Sequence, residues 1–408
     1  MSVSVRRRTG AELGEAPFPW LGLVILAGAI FVCVTGEFLP TGLLPELAVG
    51  LDVEQSTVGA LVTLYAGAVV VSAPVLTSLT RRVPRKTLVI AVLCLFAITN
   101  LLVAVATEFW VVVLARVIGG IAHGMFWSVV GAYSAHLVPK RQLARAIAIT
   151  SGGGSAAFVL GVPLGTALGH ALGWRLAFVV AAAVVVLLVV LVMLFLPPVD
   201  HVHAPRAEEV GIRPRRDPSV HGIAVLCVIV AVVMIGQNVL YTFIVPFLTE
   251  IVGLRPDAVS LVLFVFGAAG AVGLVLVAFV ANRFPRRSLV LAIGVVLVAV
   301  LALGLLPDRT PLVISAVVLW GAAFAAVPPL IQTRLLKTAS PALRDQASAW
   351  MTVAFNLGIG GGALVGGVLL DTAGLRSLPF ADVGILSAAI VLVLVTDRVL
   401  ERRTARSG

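Results

Sequence analysis

The sequence predicts an all-α membrane protein with twelve transmembrane helices in two six-helix bundles related by a pseudo-twofold axis. Three observations predict this class. The 408-residue chain is 60% apolar and only 12% charged, with a mean hydropathy of +1.12. Its apolar residues fall into twelve runs of roughly the 20 residues that a bilayer-spanning helix needs. A basic turn in the first half, at 77–86, recurs 201 residues later, at 280–287.

The composition excludes a water-soluble domain, because so few charges cannot cover a water-exposed surface. The net charge is +10, but the basic residues lie in short turns and form no continuous patch, so we expect no nucleic-acid partner. The three cysteines lie inside apolar runs without metal-ligand spacing. We therefore expect no cofactor and no metal, and membrane lipid as the main surrounding medium.

The apolar runs define the expected organisation of the chain. The one long polar segment, 198–220, separates six spans from six, so we expect an N-terminal six-helix bundle at 1–197, a cytoplasmic linker at 198–220 and a C-terminal bundle at 221–408. The expected spans are about 17–47, 54–76, 86–106, 108–135, 143–171, 175–197, 221–249, 256–281, 287–306, 311–336, 342–370 and 378–399.

The positive charges predict the orientation. If the N-terminus is inside, 24 of the 29 Lys and Arg residues lie in cytoplasmic segments, four lie in outer loops and Arg116 lies within a span. Positive residues concentrate on the cytoplasmic side of membrane proteins. We expect a multi-pass protein of a bacterial plasma membrane with both termini cytoplasmic. The first span is too long for a signal peptide and contains Glu37, so we expect it to be retained.

The repeat extends beyond the basic turn. At the same offset, the glycines of the fifth span and the arginine after it match those of the eleventh, and Pro45 matches Pro246. Two parallel six-span halves imply a pseudo-twofold axis along the membrane normal.

Three stretches carry a resemblance to a known family. The basic turn resembles the loop motif G-x-x-x-D-[RK]-x-G-R-[RK], although Arg81 stands at the aspartate position. The segment 114–127, LARVIGGIAHGMFW, resembles a fourth span with a buried arginine. The segment 161–165, GVPLG, resembles the antiporter motif G-P-x-x-G. With GEFLPTGLLPELA in the first span, the chain resembles the major facilitator superfamily over nearly its full length, especially drug:proton antiporters of the sugar-efflux and arabinose-efflux branch.

The resemblance implies a major facilitator fold, alternating access, and a substrate site near the midplane contacted by spans 1, 4, 7 and 10. It implies export of a small sugar or drug-like molecule in exchange for protons. A proton-coupled uptake symporter would share the fold and the charge pattern. An integral-membrane enzyme is the other class, but no catalytic or metal constellation of side chains is evident in the sequence.

The main candidate for proton coupling is Glu37, the one acidic residue that we expect well inside a span. Glu37 lies nine residues before Glu46 and Arg116 eight residues after Glu108, so both lie about 12–14 Å below the outer boundary. They can pair at this depth, directly or through water, as a proton carrier or as a static ion pair. His123 lies two turns after Arg116 and is either a proton relay or a core histidine.

The candidate substrate-binding residues are polar or aromatic side chains inside spans, which usually face the bundle interior but often only join helices. Asn238 is the repeat partner of Glu37, so one side of a central cavity would titrate and the other would form hydrogen bonds. The set is Trp127, Gln237, Asn238, Tyr241, Trp320, Gln332 and Asn356.

Two further sets have structural interpretations. The basic turns either enforce topology or lock the halves together on the cytoplasmic side; they contribute Arg82, Arg85, Lys86, Arg283, Arg286 and Arg287. Small residues and a proline permit close helix packing; these are Gly161, Pro163, Gly165, Gly362 and Gly366. We expect a small-molecule substrate and protons as partners, and a monomer.

Overall fold

A computed structural model describes residues 18–80, 83–138, 142–199, 217, 219–283, 287–340 and 343–407. Within these ranges every regular element is helical and no strand occurs, and twelve helical segments are long and apolar enough to cross a membrane. The predicted all-α class with twelve spans is therefore confirmed.

The first six spans contain eight α-helices. Span 5 is continuous through a π-helical turn at Ala157–Gly161 between α6 and α7. The helices are α1 (Trp20–Gly42), α2 (Leu44–Gly50), α3 (Gln55–Leu79), α4 (Arg85–Val105), α5 (Phe109–Leu137), α6 (Leu143–Ala156), α7 (Val162–Leu172) and α8 (Trp174–Phe195).

The last six spans contain seven α-helices. A π-helical turn, Phe247–Ile251, follows α10, and a 3₁₀ turn, Leu375–Ser377, precedes α15. The helices are α9 (Val220–Tyr241), α10 (Ile244–Pro246), α11 (Pro256–Arg283), α12 (Ser288–Leu305), α13 (Thr310–Thr338), α14 (Arg344–Ala373) and α15 (Leu378–Ser407).

Spans 1 and 7 break at equivalent positions. Span 1 is interrupted at Leu43, between α1 and α2, and span 7 at 242–243, between α9 and α10. Each break is followed by a proline, Pro45 or Pro246. Proline has no N–H, so the carbonyl four residues earlier loses its helical donor. The repeated prolines therefore account for the repeated breaks.

Spans 5 and 11 end in the same way. Gly173 and Gly374, 201 residues apart, have φ of +91° and +76°. This left-handed region is strained for residues with a side chain. Each glycine ends one span and turns the chain into the next.

The halves meet along α3 and α14 and along α11 and span 5. We use "distal end" for the end of the bundle that carries the start of α3 and the end of α14, opposite the chain termini. There Gln55 donates to Glu250 (2.7 Å), and about 12 Å further along α3 the Thr63 hydroxyl donates to the carbonyl of Gly360 on α14 (2.9 Å). Contacts between the halves thus close the distal end.

Parts of the predicted organisation lie outside the described residues. Residues 200–216 and 218 of the expected linker and residues 1–17 of the N-terminus are among them. The division at 198–220 therefore stays a prediction.

Candidate proton and substrate site

Arg116 is held by backbone carbonyls of α1. Pro40 lies inside α1 and has no N–H, so the carbonyl of Gly36 lacks its usual helical donor. Arg116 of α5 supplies one: its Nη1 donates to Gly36 O and its Nη2 to Glu37 O, both at 2.8 Å. Arg116 is only 6% exposed, and its guanidinium carbon lies 4.1 Å from the ring centre of Tyr65. Arg116 therefore joins three helices of the N-terminal half.

This arrangement differs from the expected side-chain pairing of Glu37 and Arg116. The two residues do lie at matching depth, but the hydrogen bonds of the guanidinium go to main-chain oxygens. The carbonyl left open by Pro40 is the physical reason, because a buried carbonyl without a donor is costly. A cavity of about 20 Å³, lined in part by Arg116, Thr99 and Asn100, lies beside this contact. It has room for about one water molecule.

The Glu37 carboxylate instead faces His123. Its Oε2 lies 3.6 Å from His123 Nε2, and both residues are buried. The indole N–H of Trp127 donates to the same Nε2 at 2.6 Å. An indole N–H can only donate, so Nε2 accepts and the imidazole proton lies on Nδ1. His123 thus has one nitrogen shared between an indole donor and a carboxylate.

Aromatic rings surround this histidine. Tyr65 of α3, Phe96 of α4 and Phe126 of α5 lie 5.4, 6.3 and 6.5 Å from it between ring centres. Trp127 is the exposed edge of the group, at 39%. The carboxylate and the imidazole therefore lie in a largely apolar setting, where a change of charge is expensive.

Three predicted substrate residues come together in the C-terminal half. Trp320 of α13 donates its indole N–H to Gln237 Oε1 of α9 at 2.7 Å. The ring of Tyr241 lies 6.0 Å from Trp320 and 5.2 Å from Phe266. Phe38 of α1, one residue after Glu37, lies 6.1 Å from Tyr241. This aromatic group connects the α1 segment that carries Glu37 to the opposite half.

The other predicted substrate residues do not join this group. Asn238 donates to Met234 O within its own helix (2.9 Å) and packs against Gly362 of α14. Gln332 donates to Ser348 (3.1 Å), and it lies about 18 Å along α13 from Trp320. Asn356 donates to Thr352 O (3.0 Å), while its Oδ1 is buried without a hydrogen-bond partner within the described ranges.

The basic turns are described in part. Arg85 begins α4, and Lys86 donates to the carbonyl of Met193 near the end of α8 (2.9 Å). That bond lies within the N-terminal half and satisfies a carbonyl that α8 leaves open. Arg287 is exposed and precedes α12. Arg82 and Arg286 lie outside the described residues, as does the side chain of Arg283.

The predicted packing residues lie at helix contacts. A Cβ at Gly165 would lie 2.6 Å from a methyl carbon of Leu39, and one at Gly366 would lie 2.6 Å from Val239 O. Gly161 faces Thr35, Gly362 faces α9, and Pro163 is buried at the start of α7. These positions have no room for a larger side chain.

Glu37 is the one acid predicted well inside a span, but it is not the one acid buried within the described spans. Asp382 of α15 is fully buried. Asp382 lies near one end of a predicted span, where an acidic residue is expected at the membrane boundary. Its charge inside an apolar run could nevertheless have identified it from the sequence. Tyr65, Phe38 and Phe266 also belong to the site, although they were not predicted from the sequence. Among the described residues, no group of three or more His, Cys, Asp or Glu side chains is arranged to hold a metal ion.

Twelve apolar spans among the described residues, with polar and aromatic groups buried in each half and an aromatic contact between the halves, are the architecture of a membrane transporter. The profile of the Major Facilitator Superfamily matches residues 26–235 and 226–408. The chain belongs to the Major Facilitator Superfamily, and it is a secondary transporter of a small-molecule substrate rather than an enzyme.

Curated relatives include two named efflux proteins. A probable sugar efflux transporter of Helicobacter pylori (strain G27) is 31% identical over 363 residues, covering 89% of this chain and 92% of the relative. A chloramphenicol efflux pump of Mycobacterium tuberculosis (strain CDC 1551 / Oshkosh) is 32% identical over 396 residues, covering 95% and 94%. These relatives support a multi-pass bacterial membrane protein.

Solved structures share the fold. A bacterial homologue of the human lysosomal transporter Spinster, in an inward-facing and unoccupied conformation, has a TM-score of 0.79 at 17% identity, covering 94% of this chain and 98% of that one. A nucleoside transporter has a TM-score of 0.75 at 16% identity, covering 92% and 99%.

Proposed function

We propose that this protein exports a small sugar or drug-like molecule in exchange for protons, by alternating access, as a monomer in a bacterial plasma membrane. Both termini lie in the cytoplasm, which the distribution of 24 inner and four outer basic residues supports. The distal end is then the outer end. The names of the relatives, a sugar efflux transporter and a chloramphenicol efflux pump, support the direction and the substrate class.

One observation carries the proton coupling: His123 Nε2 is shared between Trp127 and Glu37. A proton that arrives on Nε2 breaks the bond from Trp127, because two donors cannot share that contact. The new N–H then points to the Glu37 carboxylate. Trp127, at the exposed edge of the group, must then leave the position in which it bonds His123. A substrate that stacks on Trp127 in that position therefore competes with the proton, as exchange requires. Proton binding and substrate binding are thereby linked through one ring.

The aromatic group of Tyr241, Phe266 and Trp320 offers flat apolar faces to a sugar ring or an aromatic drug. Gln237 adds a polar group beside them. In this conformation Phe38 is packed against Tyr241, so substrate entry requires that contact to open. One proton driven by 100 mV supplies about 2.3 kcal/mol, which supports about fiftyfold accumulation.

The test is transport in everted membrane vesicles from a transporter-deficient host, with chloramphenicol and a panel of sugars as probes. Glu37→Gln should abolish accumulation driven by a pH gradient while leaving exchange of substrate for substrate. Glu54→Gln changes an exposed acid at the start of α3 and is the matched control, with wild-type accumulation expected. Equal loss of driven transport and exchange in a folded Glu37→Gln protein would contradict the proton role.

Trp127→Phe in the same vesicles tests the link through His123. Phenylalanine keeps an aromatic ring at this position and removes the N–H donor, so the pH dependence of transport should shift. Trp110→Phe, at an exposed tryptophan of the same helix, should leave it unchanged. Uptake that occurs only in right-side-out vesicles would instead identify a symporter.

A further inference from the structure

Asp382 is a buried acid outside the Glu37 site. It lies four residues into α15, about 6 Å along the helix axis from its distal start. Its exposed fraction is 0%, and neither carboxyl oxygen has a hydrogen-bond partner among the described residues. It is thus fully enclosed but only a short way from the distal surface.

Asp382 packs against α9 at a glycine. A Cβ at Gly236 would lie 3.0 Å from Asp382 Oδ1 and 3.1 Å from a methyl carbon of Leu386. The next residue of α9 is Gln237, which accepts the hydrogen bond from Trp320. Consecutive residues of one helix therefore touch the buried acid and the aromatic group.

In the part of the chain that the structure describes, the helices around Asp382 supply no neighbouring cation. The titratable residues of α9 are His221 and Cys227, about 22 and 13 Å along the helix from Gly236, and Tyr241, which packs on the aromatic group. The residues of α12 include no titratable group.

The turn before α15 and the end of α14 carry Arg376 and Asp371, and both are exposed. On α15 itself, Asp397 lies about 22 Å away and pairs with Arg334.

We propose that Asp382 is a second proton-binding site, in the half that carries Asn238 in place of Glu37, and that it holds its proton while the distal end is closed. An ionised carboxylate without a donor or a cation is far more costly to bury than the neutral acid. Because the site touches α9 beside Gln237, any movement of α9 that rearranges the Gln237–Trp320 bond also opens or closes the surroundings of Asp382.

The first test is the infrared spectrum of the purified protein in lipid nanodiscs at neutral pH. Asp382→Asn should remove one carbonyl band of a protonated carboxylic acid, whether or not Glu37→Gln is also present. Asp371→Asn, at an exposed acid of α14, should remove none. An unchanged carboxylic-acid region in a folded Asp382→Asn protein would overturn the proposal.

The second test is the melting temperature between about pH 5 and pH 8. A proton held only in the folded state makes the protein less stable as pH rises. The wild-type melting temperature should therefore fall relative to that of Asp382→Asn across this range. Asp382→Leu provides a second variant without the acid, should the asparagine fail to fold.

A difference between wild type and variant that does not change with pH would overturn the proposal. Neither readout requires transport, so failure here leaves the proposed role of Glu37 untouched.

Discussion

Pro40→Ala should reduce the cost of losing Arg116, because both residues act on the carbonyl of Gly36. Arg116 donates two charge-assisted hydrogen bonds to α1, each worth about 1.5–3 kcal/mol. Arg116→Met removes both and leaves the Gly36 carbonyl buried without a donor. We expect this variant to lower the free energy of unfolding by about 3–5 kcal/mol.

An alanine at position 40 restores an N–H that can donate to Gly36 O within the helix. The double variant should therefore lose about 1–3 kcal/mol less than the sum of the two single variants. The measurement is a double-mutant cycle of denaturant unfolding in detergent micelles. Pro74→Ala, at an exposed proline inside α3, is the matched control, and its effect should add to that of Arg116→Met.

Interaction energies between distant sites usually stay within about 0.5 kcal/mol of zero. If Pro40→Ala and Arg116→Met also combine additively within that margin, the open carbonyl of Gly36 is not what holds Arg116. The explanation given for the missing Glu37–Arg116 side-chain pair would then be refuted.

Two further predictions concern packing and pH. Gly366→Ala should lower the free energy of unfolding by about 1–3 kcal/mol, because its Cβ would meet Val239 O. Gly384→Ala, at a position with no described atom within 4 Å, should instead stabilise α15 by up to about 1 kcal/mol. Equal effects of the two variants in thermal melts would contradict the contact at Gly366. Hydrogen bonds from Ser219 and Ser340 hold the pKa of Asp217 below its usual range. These hydrogen bonds therefore stabilise the folded protein above about pH 4, and the stabilisation is lost as pH falls through the lowered pKa of Asp217. Ser340→Ala should therefore melt below wild type at neutral pH, with a difference that shrinks in acid; a constant difference would exclude the linkage.

Much of the fold follows from the sequence because lipid imposes simple requirements. Apolar runs of sufficient length predicted all twelve spans, and the 201-residue offset predicted equivalent positions whose geometry agrees, as Gly173 and Gly374 do. His123 and Trp127 are four residues apart, a spacing that puts them on one helix face, and there they form a hydrogen bond.

The site was harder to predict because its contacts depend on the main chain. Matching depths placed Arg116 beside Glu37, but a proline three residues later in α1 directs the guanidinium to carbonyl oxygens. A side-chain pattern does not show which main-chain carbonyl lacks a donor, although Pro40 implies that the carbonyl of Gly36 does. Asn238 occupies the position equivalent to Glu37 in the repeat, but its side chain donates a hydrogen bond to Met234 O of its own helix. Gly362 of α14 packs closely against it there.

The seam between α3 and α14 determines how the distal end opens. On this seam Gly360 and Gly367 bring the backbone of α14 against Thr63, Ala66 and Ser56 of α3. Dispersion between such surfaces weakens steeply once a gap of about an ångström opens. The distal end should therefore be bistable, sealed or open with few intermediates. Since shape rather than charge makes most of the seal, salt in the surrounding medium should change its opening very little.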